Sequence, residues 1–179
     1  SAVGGTGTNP LAALGAGFNR VKIGEPVLVD IVHVHRGYIT DMTRMFSVGP
    51  LAEEWIQRLD DMEEIAEALR HSLARGEDCS SAWDLGSKMA TEMGYGGHLM
   101  GMQPEQARFL GHSIGLELDE TPVIAAGFDR PLPVGGTMAI EPKVIHPEGA
   151  IGVEDCWVRT SEGLSCLSSG DDFPMYTQW

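Results

Sequence analysis

Basic residues are scarce in this sequence, and their scarcity argues against one large class of function. Twelve lysines and arginines stand against 26 aspartates and glutamates, which gives a formal net charge of −14. A surface that binds nucleic acid needs a stripe of cations to neutralise phosphates, and the sequence contains no such stripe. We therefore expect no nucleic-acid partner, and most of the excess acid is explained by solubility rather than by a site.

Long apolar runs and cysteine motifs are also missing. No apolar stretch is long enough to cross a membrane, and the first residues lack a charged segment followed by an apolar one. The three cysteines, Cys79, Cys156 and Cys166, have neither CxxC nor zinc-finger spacing, and an odd number cannot pair completely within one chain. These absences predict reduced thiols, a cytoplasmic location and no membrane partner.

The length and composition fit a single domain. The chain has 179 residues, of which 42% are hydrophobic, and this is enough to bury a core. Residues 1–20 are rich in glycine, alanine and threonine, which predicts a loop rather than a helix or strand. The sequence does not begin with methionine, and we expect it to be a piece of a longer protein.

Helical patterns occupy the middle of the chain and strand patterns surround them. Apolar residues recur at helical steps from Leu51 to Leu73, with Pro50 suited to a first turn and Gly76 to a stop. A second helix is predicted over 80–93, with a weaker apolar stripe formed by Trp83, Leu85, Met89 and Met93. Strands are predicted within 25–48, 111–122 and 141–160, and residues 168–179 as a tail that packs a few aromatic rings.

One predicted hairpin opposes two carboxylates. The stretch AIEPKVIHPEGAIGVED runs from residue 139 to 155, and its HPEG segment has turn chemistry between two short apolar runs. A turn centred between Pro147 and Glu148 pairs Glu141 directly with Glu154. Like charges in such a pair repel each other and destabilise the hairpin.

A second hairpin repeats the arrangement. The stretch PVLVDIVHVHRGYITDMTRMF, residues 26–46, is rich in β-branched and aromatic residues around HRG. A turn centred on His35 and Arg36 pairs Asp30 with Asp41, and a turn one residue later makes the two acids diagonal neighbours on the same face. Two hairpins that each carry a pair of acids on one face predict a cation between the acids.

His112 is the candidate that completes a metal site. It lies in GHSIG, and its flanking glycines indicate that the backbone approaches another group closely. Four carboxylates and one imidazole suit Mn²⁺, Co²⁺, Fe²⁺ or Zn²⁺, and four acids can neutralise two divalent ions. His33 and His35 differ in parity from Asp30, so we expect them on the opposite face and omit them from the site.

The order of these segments resembles a known family. Asp30 and Asp41, then GHSIGLELDETP, AIEP and GVED resemble the pita-bread metallopeptidases, which comprise methionine aminopeptidase, aminopeptidase P and prolidase. The resemblance runs from about Glu25 to Glu162 and is greatest to the Xaa-Pro branch. It implies an α+β fold in which a curved antiparallel sheet carries helices on its outer face, in pseudo-twofold halves. Residues 1–179 would be a catalytic domain truncated at its N-terminus, and exposed sheet surface would favour a homodimer.

The resemblance also implies roles for individual residues. The family's metal ligands fall on Asp30, Asp41, His112, Glu141 and Glu154. Of these, Glu141 and His112 would be catalytic, Glu141 by handling the proton of a water between two ions. Asp41 and Glu154 would bridge the ions.

The sequence departs from the family's Xaa-Pro pattern in several places. Asp119 stands where a second histidine often follows the ligand histidine, Arg108 where another histidine often precedes it, and Gly152 where an arginine often precedes the last ligand. The N-terminal loop shows no counterpart of an upstream histidine. Asp119 would contact the substrate amine or carry a proton, or else cap a turn as a surface acid.

These observations leave three hypotheses. The first is a dinuclear aminopeptidase or dipeptidase that removes an N-terminal residue from small proline-containing peptides. A metal-dependent lyase that acts on a small carboxylate is the second. The third is a peptide-binding module that kept its acids and lost its proton shuttles.

Overall fold

The computed structural model describes residues 4–168 and 173–179. Within these residues two helices follow a first hairpin and precede eight further strands, and neither helix has the length and apolar character to span a membrane. The helices are α1 (Glu53–Ala74) and α2 (Cys79–Glu92). The strands are β1 (Val27–His35), β2 (Tyr38–Ser47), β3 (Gly111–Ser113), β4 (Glu120–Val123), β5 (Thr137–Ile140), β6 (Lys143–His146), β7 (Gly149–Gly152), β8 (Asp155–Arg159), β9 (Leu164–Cys166) and β10 (Tyr176–Gln178).

The first hairpin is closed by a two-residue turn that fixes its register. Arg36 and Gly37 both have positive φ, 51° and 89°, which is the backbone of a type I′ turn. The register places Asp41 opposite Val32 rather than opposite Asp30. The two acids are therefore diagonal neighbours on one face, which confirms the second of the two predicted registers.

The second hairpin is interrupted where its acids lie. β5 pairs with β8 and β6 pairs with β7 in one continuous register, and Glu141 and Glu154 occupy opposite positions between the two ladders, as predicted. There the Glu141 N–H donates to the Leu110 carbonyl (3.0 Å) and the Thr43 N–H donates to the Glu154 carbonyl (3.2 Å). The interruption joins this hairpin to β2 and to the segment before β3.

The strands form three sheets that meet around these acids. The five-stranded sheet has the order β4-β3-β5-β8-β9, β6 pairs with β7, and the third sheet has the order β1-β2-β10. All the pairs are antiparallel except β2 with β10, which align in parallel from Tyr176 beside Met45. The sequence predicts no strand at β10, although its expected aromatic packing is present, since the rings of Phe46 and Trp179 lie 5.5 Å apart. Residues 169–172 of this tail lie outside the described residues.

Helix α1 follows the predicted pattern closely. Its buried face includes the expected apolar stripe, and this face packs against β5, β6, β7 and β9. The buried members of the stripe are Trp55, Leu59, Met62, Ile65, Leu69 and Leu73. Pro50 does not lie in the first turn as predicted, because the helix begins at Glu53 after the N-cap residue Ala52.

Helix α2 buries a different face from the predicted one. Its buried residues are Cys79, Ala82, Gly86 and Ala90, whereas the predicted stripe of larger residues is only partly buried. A β-carbon on Gly86 would lie 2.5 Å from Cδ1 of Leu110 and 3.1 Å from Cδ2 of Leu69. The small residues therefore let α2 approach α1 closely, and the larger side chains flank that contact.

Candidate metal centre

The five predicted ligand residues reach one place from separate elements. Asp30 lies on β1, Asp41 on β2 and His112 on β3, while Glu141 follows β5 and Glu154 precedes β8. Candidate ligand atoms of Asp41, His112 and Glu154 all lie within 4.8 Å of one another. Nε2 of His112 also lies 3.3 Å from Oε1 of Glu141. The two hairpins and β3 thus bring together the residues that the sequence analysis selected.

A close approach of β3 to β5 sets the position of His112. A β-carbon on Gly111 would overlap the carbonyl oxygen of Ala139, the neighbour of Ile140 on β5. Glycine at this position therefore allows the two backbones to pair, and His112 follows directly. This is the close approach that the glycines of GHSIG predict.

Two oxygen atoms in the cluster are buried without a hydrogen-bond partner among the described residues. They are Oδ1 of Asp41 and Oε1 of Glu154, and the Glu154 side chain is only 1% exposed. The other oxygen of Glu154 accepts a hydrogen bond from the Thr43 hydroxyl at 2.8 Å. A buried carboxylate oxygen with no donor is costly, and coordination of a cation removes that cost. The donor set of carboxylates and one imidazole therefore fits a divalent metal ion.

A lysine that the sequence analysis did not select lies among the acids. Nζ of Lys143 lies 2.5 Å from Oε2 of Glu141, 2.8 Å from Oε2 of Glu154 and 3.3 Å from Oδ2 of Asp30. The Lys143 side chain is 2% exposed. The signal that could have identified it is strand alternation, since Lys143 follows Glu141 by two residues and faces the same side.

Burial and mutual repulsion raise the pKa values of two of the acids. Burial is the largest reason that the pKa of Asp41 rises to about 8, and the charges of Glu154 and Asp30 raise it further. Burial likewise raises the pKa of Glu154 to about 7, although Lys143 acts in the opposite direction. Protons would therefore occupy these acids near neutral pH where no metal ion is bound.

The pKa values of Glu141, His112 and Lys143 are shifted in the direction that favours their charged forms. Burial by itself would raise the pKa of Glu141, but Lys143 and His112 outweigh it and lower that pKa. Burial would lower the pKa of His112, but its hydrogen bond to Glu141 and the Glu141 charge raise that pKa to about 9. Burial also opposes the Lys143 ammonium, yet its contacts with carboxylates raise the Lys143 pKa. Of Asp41, Glu141 and Glu154, Glu141 is thus the acid best able to stay ionised at neutral pH.

The backbone behind the site is held by a second set of contacts. Arg44 pairs with Asp155 at 2.7 Å and donates to the carbonyl oxygen of Glu154 at 3.0 Å. The Asp41 N–H donates to Sγ of Cys156 at 3.2 Å, and burial raises the pKa of that thiol to about 12. These buried contacts fix the segments that carry Asp41 and Glu154, and the Cys156 thiol is an unreactive part of them.

Two of the positions that depart from the family pattern, Asp119 and Gly152, lie beside residues of this cluster. Asp119 is 71% exposed, and its Oδ1 lies 3.6 Å from Nδ1 of His112. The acid that caps the adjacent turn is Glu120, which accepts from the N–H groups of Leu116 and Glu117 at 2.8 and 2.9 Å. The substrate contact of Asp119 stays a prediction. Arg108 is exposed, and Gly152 is buried opposite Lys143.

Comparison with known proteins assigns the chain to a family. The model of metallopeptidase family M24 matches residues 3–161. The chain belongs to metallopeptidase family M24. This membership confirms the resemblance that the sequence motifs carry, and it supports the use of divalent metal at the acidic cluster.

The relatives include Xaa-Pro dipeptidases. The Xaa-Pro dipeptidase of Lactobacillus delbrueckii subsp. lactis is 31% identical over 151 residues, which are 84% of this chain and 39% of that protein. The Xaa-Pro dipeptidase of Pyrococcus furiosus is 29% identical over 153 residues, which are 83% of this chain and 41% of that protein. The chain thus spans about two fifths of the length of the curated relatives that it matches.

A solved structure shows the same fold. The X-Pro aminopeptidase of Thermotoga maritima superposes with a TM-score of 0.78 at 24% identity, over 89% of this chain and 43% of that one. At this identity the likeness shows the fold alone. It confirms the predicted pita-bread α+β fold, in which antiparallel sheets and helices surround the acidic cluster of this family M24 chain.

Proposed function

We propose that this chain supplies the metal centre of an Xaa-Pro dipeptidase or aminopeptidase, which cleaves an N-terminal residue from proline-containing peptides. The observation that carries the proposal is the convergence of four carboxylates and one imidazole, all buried except the half-exposed Asp30. Two of the carboxylate oxygens lack a hydrogen-bond donor among the described residues. Membership in family M24 and similarity to Xaa-Pro dipeptidases support the reaction class.

The five residues that would hold metal are Asp30, Asp41, His112, Glu141 and Glu154. Bound divalent metal, as Mn, Co, Zn or Fe, would acidify a water molecule and polarise the scissile carbonyl group. Four acids can neutralise two such ions, and a dinuclear centre is the fully loaded form that we propose. The ligands come from separate strands, so folding preorganises the centre.

Glu141 would act as the proton acceptor for the attacking water. Its lowered pKa keeps the carboxylate ionised at neutral pH, and Oε1 faces the His112 ring at 3.3 Å. His112 would orient this carboxylate while it contributes to metal binding. An ionised carboxylate whose other oxygen is held by the Lys143 ammonium is positioned to receive a proton and to pass it to the departing amine.

Asp119 would contact the substrate at the edge of the site. It is exposed and lies beside His112, where a negative charge would attract the free amine of a short peptide. This role would take the place of the histidine that related enzymes often have there. Asp119→Asn should raise KM more than it lowers kcat if the contact is made in the bound substrate.

We also propose a cytoplasmic homodimer. Cys79 and Cys156 are buried thiols without a disulfide, which supports a reducing compartment. Leu11, Phe18 and Ile23 are more than 80% exposed, and a second copy would cover apolar surface of this kind. Light scattering of the purified protein would test the oligomeric state.

The deciding experiment is a turnover assay with and without metal. Purified protein is supplied with Mn²⁺ or Co²⁺ and given a dipeptide with proline in second position, and a dipeptide with alanine there serves as the control. We expect metal-dependent release of proline. Bound metal without any turnover would overturn the peptidase and favour the binding module, and turnover of a small sulfonium carboxylate alone would favour the lyase.

A further inference from the structure

The Lys143 ammonium lies where a cation is needed. Its Nζ contacts carboxylate oxygens of Glu141, Glu154 and Asp30, at 2.5, 2.8 and 3.3 Å. An ammonium group has three hydrogen-bond donors and no acceptor, so three carboxylate contacts satisfy it completely. These three acids are also three of the five residues assigned to metal.

The contacts divide the cluster into two parts. On one side, Oε2 of Glu154 accepts hydrogen bonds from the Lys143 ammonium and from the Thr43 hydroxyl. On the other, Oε1 of Glu154 and Oδ1 of Asp41 have no donor among the described residues. The candidate ligand atoms that lie within 4.8 Å of one another belong to Asp41, His112 and Glu154. Among the described residues, Lys143 donates hydrogen bonds to Asp30, Glu141 and Glu154, and to neither Asp41 nor His112.

The opposite strand provides the path for the lysine side chain. Lys143 pairs with Gly152 across the β6–β7 ladder. A β-carbon on Gly152 would overlap Cγ of Lys143 and lie 2.9 Å from its Cβ. The absence of a side chain at Gly152 therefore lets the lysine lie over the partner strand and reach the acids. The pair acts as one feature that delivers a positive charge into the cluster.

We propose that the Lys143 ammonium occupies the place of the second metal ion. The centre then binds one divalent ion tightly at Asp41, His112 and Glu154, and a second ion binds only when it displaces Lys143 from Asp30, Glu141 and Glu154. A second divalent ion at the carboxylate oxygens that contact the ammonium would have to share their lone pairs with it. A divalent ion and an ammonium a few ångströms apart also repel each other. This inference rests on the proposed metal centre and specifies its occupancy.

The test is the number and affinity of bound ions, which does not depend on activity. Wild-type protein and Lys143→Met are dialysed to equilibrium against a series of Mn²⁺ concentrations, and bound manganese per chain is measured by elemental analysis. Methionine keeps the length of the side chain and removes its charge. We expect wild type to bind one ion and to take a second only at concentrations at least tenfold higher. Lys143→Met should bind two ions over the lower range.

Two further variants serve as controls. Lys88→Met removes an exposed lysine of α2 and should leave the wild-type isotherm unchanged, because that side chain is 73% exposed and pairs with Glu92 at the surface. Lys143→Arg keeps the charge and should retain the tight single site. If Lys143→Met does not fold, the wild-type isotherm alone can still overturn the inference, since two ions of equal affinity would contradict it.

The outcomes separate this inference from the proposed function. Two ions of equal affinity in wild type would overturn the role of Lys143 and leave the metal centre intact. One ion in both wild type and a folded Lys143→Met variant would also overturn it, since the lysine would not be what excludes the second ion. No bound metal in either protein would overturn the proposed metal centre itself.

Discussion

At the scale of single residues, the candidate centre has too little positive charge for its acids. Four carboxylates meet one ammonium and one imidazole, and two of the carboxylates have pKa values raised into the neutral range. Protons or metal must supply the missing charge. The acids that bind metal and the acid that moves a proton should therefore respond differently to substitution.

Glu141→Gln separates proton transfer from metal binding. The glutamine keeps the size and one oxygen ligand but cannot accept a proton, so we expect turnover of an Xaa-Pro dipeptide to fall by about 10²–10⁴-fold. Most of the bound metal should remain, because four other ligand residues are unchanged. Steady-state kinetics and elemental analysis measure the two effects, with the exposed Glu117→Gln as the control. Full activity in Glu141→Gln would place the proton role on another residue.

His112→Ala should weaken metal binding itself, in contrast to Glu141→Gln, which should retain most of the metal. The imidazole is the nitrogen ligand in the set, and its ring is 5% exposed and faces Glu141. Its removal should weaken metal binding by at least tenfold, since a ligand is lost and the Glu141 carboxylate loses its neighbour. Equilibrium dialysis against Co²⁺ would measure the change. An unchanged dissociation constant would remove His112 from the ligand set.

Stability of the metal-free protein should fall as pH rises from about 6 to 9. The folded-state pKa values of Asp41, Glu154 and His112, about 8, 7 and 9, exceed their ordinary values, so the folded form binds more protons than the unfolded form across this range. Their stabilising contributions are present at low pH and are lost as pH rises through the folded pKa values. The lowered pKa of Glu141 acts at lower pH and does not reverse this trend.

Thermal melts in chelator at several pH values would measure this slope. Melts with Mn²⁺ provide the control, because metal replaces the protons and should flatten the dependence between pH 6 and pH 9. A metal-free melting temperature that rises over this range would show that the acids are not buried together as described.

At the scale of elements, the two-residue turn of the first hairpin sets the placement of its acids. Gly37 has a φ of 89°, a backbone conformation that is unfavourable for a β-branched residue such as valine. We expect Gly37→Val to reduce the free energy of unfolding by about 1–2 kcal/mol, measured by urea denaturation. Gly97→Val is the matched control, since a β-carbon there meets nothing within 4 Å and its φ is not positive. Equal losses of unfolding free energy in Gly37→Val and Gly97→Val would show that the positive φ of Gly37 is not the cause of the destabilisation.

Local patterns in the sequence were sufficient to predict the two hairpins and helix α1. Turn chemistry around HPEG and HRG, together with strand alternation, indicated which acids share a face. The α1 stripe was equally clear because large apolar residues repeat at helical spacing. The buried face of α2 was not predictable in this way, because the residues that allow close packing there are Ala82, Gly86 and Ala90, which add little hydrophobic signal.

Long-range contacts account for the other differences. β10 has three residues and pairs in parallel with a strand about 130 positions earlier, so no local periodicity marks it. Lys143 carried the correct parity for the acidic face, but a lysine in a strand is more often exposed, and only the tertiary arrangement shows it buried among carboxylates. The sequence patterns therefore selected acids that lie together in the fold, and they did not select the lysine among them.

At the scale of the whole molecule, the acidic cluster lies where three sheets and two hairpins meet, so metal should stabilise the entire fold. Removal of metal leaves buried carboxylates to be neutralised by protons and by Lys143 alone. Ligand that binds only the folded state raises the free energy of unfolding by about 2.7 kcal/mol at a concentration 100 times its dissociation constant. We expect a chelator to lower the melting temperature by several degrees, and Mn²⁺ in excess to restore it.

The chelation melt has an internal control in the chain. The same treatment of His112→Ala should produce a much smaller shift, because that variant holds less metal before chelator is added. The shift in wild type should also grow with pH, since fewer protons remain on Asp41 and Glu154 to compensate for the lost ion. An unchanged wild-type melting temperature at pH 8 would mean that the cluster, despite its convergent ligands, is satisfied by its own lysine and protons.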